Sequence, residues 1–151
     1  MKLAEALAER SDCQVRIEEL KKRIARTARV QEGEKPAEDP AALLKEANSL
    51  FARLQELITA INRTNSHTTF DKARTLSDAI AERDVTGKKR DFLTGITEAA
   101  STRQDRYSKS EVKYLATISI SETQKEIDRL AKHYREIDTG IQELNWKTDL
   151  V

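Results

Sequence analysis

The sequence of 151 residues predicts a mainly α-helical protein: a long antiparallel helical hairpin, further helices and a small β element, in an oligomeric helical bundle. Three observations predict this fold class. Apolar residues recur at steps of three and four along most of the chain. Charged residues make up 35% of the sequence, with 27 basic against 26 acidic, which is typical of a long-helix surface. In one stretch, "EVKYLATISI", the spacing of the apolar residues changes to every second position.

The first two helices are predicted to form the hairpin, in residues 1–64 of a single helical domain that spans 1–151. An amphipathic helix is predicted from about Leu3 to Val30. The stretch "QEGEKPAEDP" indicates a loop, and Asp39 before Pro40 is a favourable helix start. The second helix is predicted from about Ala41 to Asn62. Its apolar stripe comprises Leu43, Ala47, Leu50, Leu54, Leu57 and Ile61, widened by Leu44, Phe51 and Ile58.

Residues 65–151 are predicted to contain a helix, a short strand and a C-terminal helix. The third helix begins near Thr75, where Thr75 and Asp78 have capping-box spacing, and a kink or break is expected at Gly87. Alternation across Val112–Ile120 predicts a half-buried strand, which needs a pairing partner from "SHTTF", "NWKTDLV" or another subunit. Ser121 and Gln124 predict the start of the last helix, whose heptad stripe includes Ile127, Leu130, Tyr134, Ile137, Ile141 and Leu144.

Composition excludes several classes of function. The near-cancelling charges argue against a general polyanion binder, so nucleic acid is not the expected partner. The single cysteine, Cys13, rules out an intramolecular disulfide and fits a cytoplasmic protein. The acid-containing N-terminus is not a signal peptide, and no apolar run is long enough for a membrane span, so no membrane partner is expected.

The sequence contains no strong catalytic or cofactor motif: it has no phosphate-binding glycine loop, no paired cysteines and no His-Glu-x-x-His. No cofactor is implied, and a protein that is not an enzyme is favoured. Cys13 lies on an apolar helix stripe, where a buried structural thiol is expected rather than a nucleophile.

Polar residues cluster in three places and form the candidate site. Arg, Asn and Asp side chains make directed, charge-assisted hydrogen bonds, so these residues predict either a network that locks loops or subunits together or a pocket for an anionic ligand. The residues are Asn62, Arg63, Asn65, Arg83, Asp84, Arg103, Asp105 and Arg106.

Two weaker hypotheses concern a metal ion and nucleic acid. His67, Asp78 and Glu82 could hold a divalent ion if the loop that contains His67 folds back on the third helix. The basic stretch "KKRIARTAR" could contact nucleic acid, although cations also complement the negative end of a helix dipole.

The narrow apolar stripes predict self-association. A helix of about 27 residues spans roughly 40 Å, and a single chain of such helices leaves apolar edges exposed. We therefore expect a homo-oligomer, with a compact monomeric bundle as the alternative.

Several stretches together resemble a bacterial family of uncharacterised helical proteins, some of which carry the label septicolysin. The stretches are "KLAEALAER", "RVQEGEKPAEDP", "INRTN", "TLSDAIAERD", "RQDRYS" and "IQELNWKTDL". The resemblance spans essentially the whole chain. It implies a helical, cytosolic homo-oligomer, with a hexamer as the suggested form, and it brings no catalytic residues. The label itself implies membrane attack or thiol activation.

Overall fold

The computed structural model describes residues 1–101 and 112–151, and the secondary structure of these ranges is helical. Its helices are α1 (Leu3–Thr27), α2 (Pro40–His67), α3 (Leu76–Ala100) and α4 (Ile120–Lys147). The prediction of a mainly α-helical protein is therefore confirmed. The chain falls into two compact units: the first comprises Met1–Thr69 and Gln142–Val151, and the second comprises Phe70–Ile141.

The first unit contains the predicted hairpin. Two ion pairs join its helices, Arg53 with Glu9 (2.7 Å) and Arg16 with Glu46 (3.4 Å), and a third joins Arg23 of α1 to Glu38 in the loop before α2 (2.5 Å). From pair to pair, the residue numbers rise along α1 while those of the partners fall, so α1 and α2 run antiparallel. The buried apolar residues of the hairpin are Leu3, Ala6, Cys13, Leu20, Leu43, Ala47, Leu50, Leu57 and Ile61.

The start of α2 is as predicted, but its end is not. The Asp39 side chain accepts a hydrogen bond from the Ala41 N–H at 3.1 Å, with Pro40 as the first helical residue. The helix then continues through the predicted turn to His67. Thr64 is 1% exposed, and its hydroxyl donates to the Ala60 carbonyl at 2.8 Å. Burial of this turn therefore outweighs the weak helix propensity of its residues.

The chain termini meet within the first unit. The Leu3 N–H donates to the Thr148 carbonyl, and the Leu150 N–H donates to the Met1 carbonyl, each at 2.9 Å. An antiparallel bridge pairs Lys2 with Asp149, and an ion pair of 2.8 Å joins their side chains. This bridge is a β-type pairing of two residues and not a strand.

The strand predicted over Val112–Ile120 is wrong, because residues 112–119 form no regular element and Ile120 already belongs to α4. Tyr114 is 80% exposed and Leu115 is 85% exposed, so the alternating pattern buries neither face. An alternating segment without a backbone partner has no ladder to hold it extended.

The second unit is built on α3 and the part of α4 up to Ile141. The Thr75–Asp78 capping box is confirmed, with the Thr75 N–H donating to the Asp78 carboxylate at 2.8 Å. The predicted break at Gly87 is wrong: α3 passes through it, and a Cβ there would lie 3.1 Å from Cε2 of Tyr134. Glycine at this position permits a close approach of helices rather than a kink.

Candidate functional site

The first cluster of predicted polar residues lies on the last turns of α2. Asn62 and Arg63 are exposed, and Asn65 is half-buried. The Asn62 carbonyl accepts from Ser66 Oγ at 2.9 Å, which is a local helix contact. Arg63 lines a shallow depression of about 500 Å³ that also includes Glu56. These residues are helical rather than part of a loop, which corrects their predicted setting.

The second cluster forms a closed ion-pair network within the second unit. Nη1 of Arg83 donates to Asp138 at 2.9 Å, and its Nε donates to Asp84 at 3.0 Å. The Arg83 side chain is only 20% exposed. Both of these acids neutralise the guanidinium, which leaves it little capacity for an anionic ligand. The third predicted cluster, with Arg103, Asp105 and Arg106, lies outside the described residues.

Each predicted metal ligand already has a different local partner. His67 is the last residue of α2, and its Nδ1 lies 2.8 Å from the Arg63 carbonyl oxygen. Asp78 caps α3, and hydrogen bonds from the backbone and side chain of Thr75 lower its pKa. Among the residues that the structure describes, no group of three or more His, Cys, Asp or Glu side chains is placed to hold a metal ion.

Glu82 belongs to an ionic network that the sequence did not predict. Its carboxylate lies 2.9 Å from Nε2 of His133 on α4 and accepts a hydrogen bond from Arg74. Arg74 also donates to Asp71 at 2.6 Å. The contacts with His133 and then Arg74 lower the pKa of Glu82. Because Glu82 and His133 are 51 residues apart in the chain, no local pattern could have identified this contact.

The most unusual surface of the described protein is an exposed helix face without charged side chains, which we name the uncharged face of α2. Its members recur at helical spacing from the first turn of α2 almost to the last. All of them are exposed: Ala41, Leu44, Asn48, Phe51, Ala52, Gln55, Ile58, Thr59 and Asn62. Three are large apolar residues, with Leu44 51%, Phe51 53% and Ile58 38% exposed.

The charged residues of α2 lie beside this face or on the side that packs against α1. The helix has 28 residues, and its Lys, Arg, Asp and Glu side chains are Lys45, Glu46, Arg53, Glu56 and Arg63. Arg53 and Glu46 are directed to α1, where they pair with Glu9 and Arg16. A helix of which one face packs in the core normally places charged groups on the opposite, solvated face. The composition of this face is instead typical of a contact surface.

Phe51 lies at the centre of the uncharged face. It lines a groove of about 520 Å³, to which α1 contributes the apolar Ile17 and Ile24 and the charged Glu18 and Lys21. It also lines a second depression of about 330 Å³ together with Leu54 and Ile58. The walls of both depressions are predominantly apolar, so the surface around Phe51 suits apolar side chains better than a polar small molecule.

The sequence alone already showed some of the residues that form the uncharged face of α2. Leu44, Phe51 and Ile58 are visible as residues that widen the apolar stripe of α2. A stripe alone does not reveal which of its members α1 covers. The exposed fractions separate the buried stripe through Leu43, Leu50 and Leu57 from the exposed one.

The basic end of α1 is partly neutralised. Arg23 pairs with Glu38 through two hydrogen bonds, of 3.2 and 2.5 Å. Arg26 and Arg29 line a shallow depression of about 480 Å³ that also contains Glu34. Acids are therefore interleaved with the basic residues here, which weakens a uniform attraction for phosphate groups.

The described helices include none with the length and apolar character that a bilayer crossing requires. Comparisons with known proteins place the chain among relatives of unknown function. It is 46% identical to a functionally unknown conserved protein from Corynebacterium diphtheriae, over 100% of this chain and 99% of that one. The TM-score with the crystal structure of that protein is 0.94. No curated protein matches the chain. A profile described as "Family of unknown function (DUF6847)" matches residues 10–150. The chain therefore belongs to the DUF6847 family.

Proposed function

We propose that the protein is a cytoplasmic assembly protein that self-associates through the uncharged face of α2. The observation that carries this proposal is the exposed face of α2 itself, which runs through Leu44, Phe51 and Ile58 and has no charged side chain of its own. In a chain with 35% charged residues, a helix face of this length without a single charge is unexpected for a solvated surface.

The energetics of burial favour a partner on this face. Fully burying a large apolar side chain contributes roughly 1.5–3 kcal/mol relative to full exposure, so the half-covered side chains of Leu44, Phe51 and Ile58 would each gain roughly half of that. Phe51 projects between two apolar depressions, which is the usual setting of an aromatic anchor at the centre of an interface. The face itself presents neutral Gln, Thr and Asn side chains beside the apolar ones. Charged groups lie next to it, with Glu18 and Lys21 of α1 in the groove beside Phe51, so a contact would avoid desolvation of charge only at its apolar centre.

Sedimentation equilibrium of the wild type and a Phe51→Glu variant tests the proposal. We expect the wild type to form a species heavier than its 17.2 kDa chain. Phe51→Glu should weaken this association by about a hundredfold or more, because each interface would then bury carboxylates where it had buried rings. Phe51 is 53% exposed, so circular dichroism should show an unchanged helix content.

Phe92→Glu is the matched control. Phe92 is 67% exposed on α3 and has Lys88, Lys89 and Asp91 as close neighbours in sequence. The same chemical change at this charged surface should leave the mass unchanged. A wild type that stays monomeric at high concentration, or a Phe51→Glu variant that associates like the wild type, would refute the proposal.

The compartment and the number of subunits are inferred from the sequence. A single, buried thiol fits a reducing compartment such as the cytoplasm. A hexamer, which the septicolysin-type resemblance suggests, would need a second interface besides the face of α2. The septicolysin label and the alternative of a ligand-binding or metal-dependent enzyme remain predictions from the sequence, and we assign no residue to either.

A further inference from the structure

The uncharged face of α2 has a nearly symmetric pattern about Phe51. Leu44 and Ile58 lie seven residues before and after Phe51, which is close to two helical turns in each direction. A helix of which the two halves present similar groups at equal distances from a centre can pair with a copy of itself that runs in the opposite direction. Phe51 would then meet Phe51 of the second copy, and Leu44 would meet Ile58.

Two charged residues beside this face are arranged about nearly the same centre along the helix. Lys45 and Glu56 are eleven residues apart, which is about three turns, so they lie on the same edge of the helix. Their midpoint falls between Leu50 and Phe51. In an antiparallel pair related by a two-fold axis, the same edge of each helix lies on the same side of the pair. Lys45 of each copy therefore lies opposite Glu56 of the other.

Both side chains are available for such a contact. Among the residues that the structure describes, no ion pair within 4.0 Å involves the Lys45 ammonium. The Glu56 side chain is 69% exposed and contacts Arg53 at 3.2 Å. Arg53 is already held by both oxygens of Glu9, at 2.7 and 3.0 Å, so Glu56 contributes little to its neutralisation.

Short, uncharged residues separate the apolar stripe from this charged edge. Asn48 and Ala52 lie between Phe51 and the edge that carries Lys45 and Glu56. Short side chains at a contact allow helix axes to approach toward the lower end of the usual range of about 8–10 Å. The longer side chains at the edge can then reach across to the opposite helix.

We propose that the partner of the uncharged face is a second copy of this chain, docked with α2 antiparallel to α2 about a two-fold axis beside Phe51. Two reciprocal ion pairs between Lys45 and Glu56 set the orientation and register of the dimer. This inference rests on the proposed self-association and adds its geometry. Complementary edge charges are a common device for specifying orientation between helices.

Charge reversal tests the geometry. Lys45→Glu alone and Glu56→Lys alone should each weaken self-association by about tenfold or more, because each places like charges opposite each other twice per dimer. The variant with both changes should regain the affinity of the wild type. An equimolar mixture of the two single variants, one of them labelled with ¹⁵N so that the two chains differ in mass, should form heterodimers almost exclusively in native mass spectrometry.

The matched control uses the same change at the same spacing on another helix. Lys125 and Glu136 are eleven residues apart on α4, and both side chains are exposed. Mixing Lys125→Glu with Glu136→Lys should give the statistical ratio of 1:2:1 that is expected for random pairing, on the order of one half heterodimer.

The outcomes separate the two proposals. If the Lys45 and Glu56 variants also mix statistically while Phe51→Glu still dissociates the wild-type assembly, the antiparallel geometry is wrong and self-association stands. If Phe51→Glu has no effect on mass, the proposed function is wrong and the geometry falls with it. Preferential heterodimer formation by the two single variants, together with wild-type affinity in the variant that carries both changes, supports the geometry.

Discussion

Three helical glycines show how differently the same residue is constrained in this protein. A Cβ at Gly140 would lie 3.0 Å from both Cε2 and Cζ of Phe70, and one at Gly87 would lie 3.1 Å from the ring of Tyr134. A Cβ at Gly95 would have no atom within 4 Å. The first two glycines make room for aromatic rings, whereas Gly95 only lowers the helix propensity of α3.

Alanine substitutions should therefore have opposite effects at two of these positions. Gly95→Ala should stabilise the protein by about 0.5–1 kcal/mol through helix propensity alone. Gly140→Ala gains the same propensity, but it forces the Phe70 ring to move, which typically costs about 1–3 kcal/mol and should leave a net loss. Chemical unfolding of both variants measures the difference. A Gly140→Ala protein as stable as Gly95→Ala would show that the ring yields freely.

The Phe70 ring also contacts a charged group. The Arg74 guanidinium carbon lies 5.0 Å from the ring centroid, in the geometry of a cation–π contact. Arg74 in turn donates to Glu82 and to Asp71. The ring thus contacts Gly140 on α4 and an arginine that is itself fixed by two carboxylates, which explains why displacement of the ring should be costly.

At the scale of elements, Glu82 links α3 to α4 through His133. Contacts with His133 and Arg74 lower the pKa of Glu82 below its ordinary value of 4.5 in the folded state. A group whose pKa is lower in the folded state than in the unfolded state stabilises the fold at pH values above its unfolded pKa. This stabilisation is lost as the pH falls through the pKa of the folded state. The contribution of Glu82 should therefore be complete at neutral pH, begin to decrease near pH 4.5 and be lost as the pH falls further through the lowered pKa of the folded state.

Glu82→Gln should remove this part of the acid dependence. The variant should be less stable than the wild type at pH 6, and the difference should shrink as both are titrated toward pH 3. Urea unfolding at several pH values measures both effects. The control is Glu136→Gln, which removes an exposed carboxylate with one contact of 4.0 Å to Lys132. A stability gap between Glu82→Gln and wild type that is constant with pH would contradict the role given to Glu82.

The wrong predictions of where α2 ends and where α3 breaks share one physical origin. Asn62 to His67 have the composition of a turn, yet they form helix because Thr64 is buried and hydrogen-bonded to the turn before it. Gly87 has the propensity of a breaker, yet it is helical because Tyr134 packs on it. In each case the packing of the folded chain outweighed a local preference of about 1 kcal/mol or less.

For the whole molecule, self-association predicts that stability depends on concentration. A dimer in which folding and pairing are coupled is stabilised by mass action, so its Tm rises with protein concentration. A hundredfold increase in concentration should raise the Tm by roughly 5 °C. Scanning calorimetry checks this, and Phe51→Glu should make the Tm independent of concentration. A wild-type Tm that does not move would show that pairing contributes no folding free energy.

The sequence by itself determined the helical class, the antiparallel hairpin, the cap at Asp39 and the capping box at Thr75. These features depend on periodicity and on contacts between residues a few positions apart, which the sequence displays directly. It also contained the apolar residues of α2. It placed a strand at Val112–Ile120 where the described residues form none, because alternation cannot supply a backbone partner.

Only the tertiary structure decided which apolar residues are covered and which polar residues meet. The packing of α1 buries Leu50 and Leu57 but leaves Phe51 and Ile58 exposed, although all four belong to one broad stripe. Likewise, Glu82 meets His133 across 51 positions of sequence. Burial and pairing at such separations depend on how helices are placed in space, and the uncharged face of α2 becomes visible as a surface only once that placement is known.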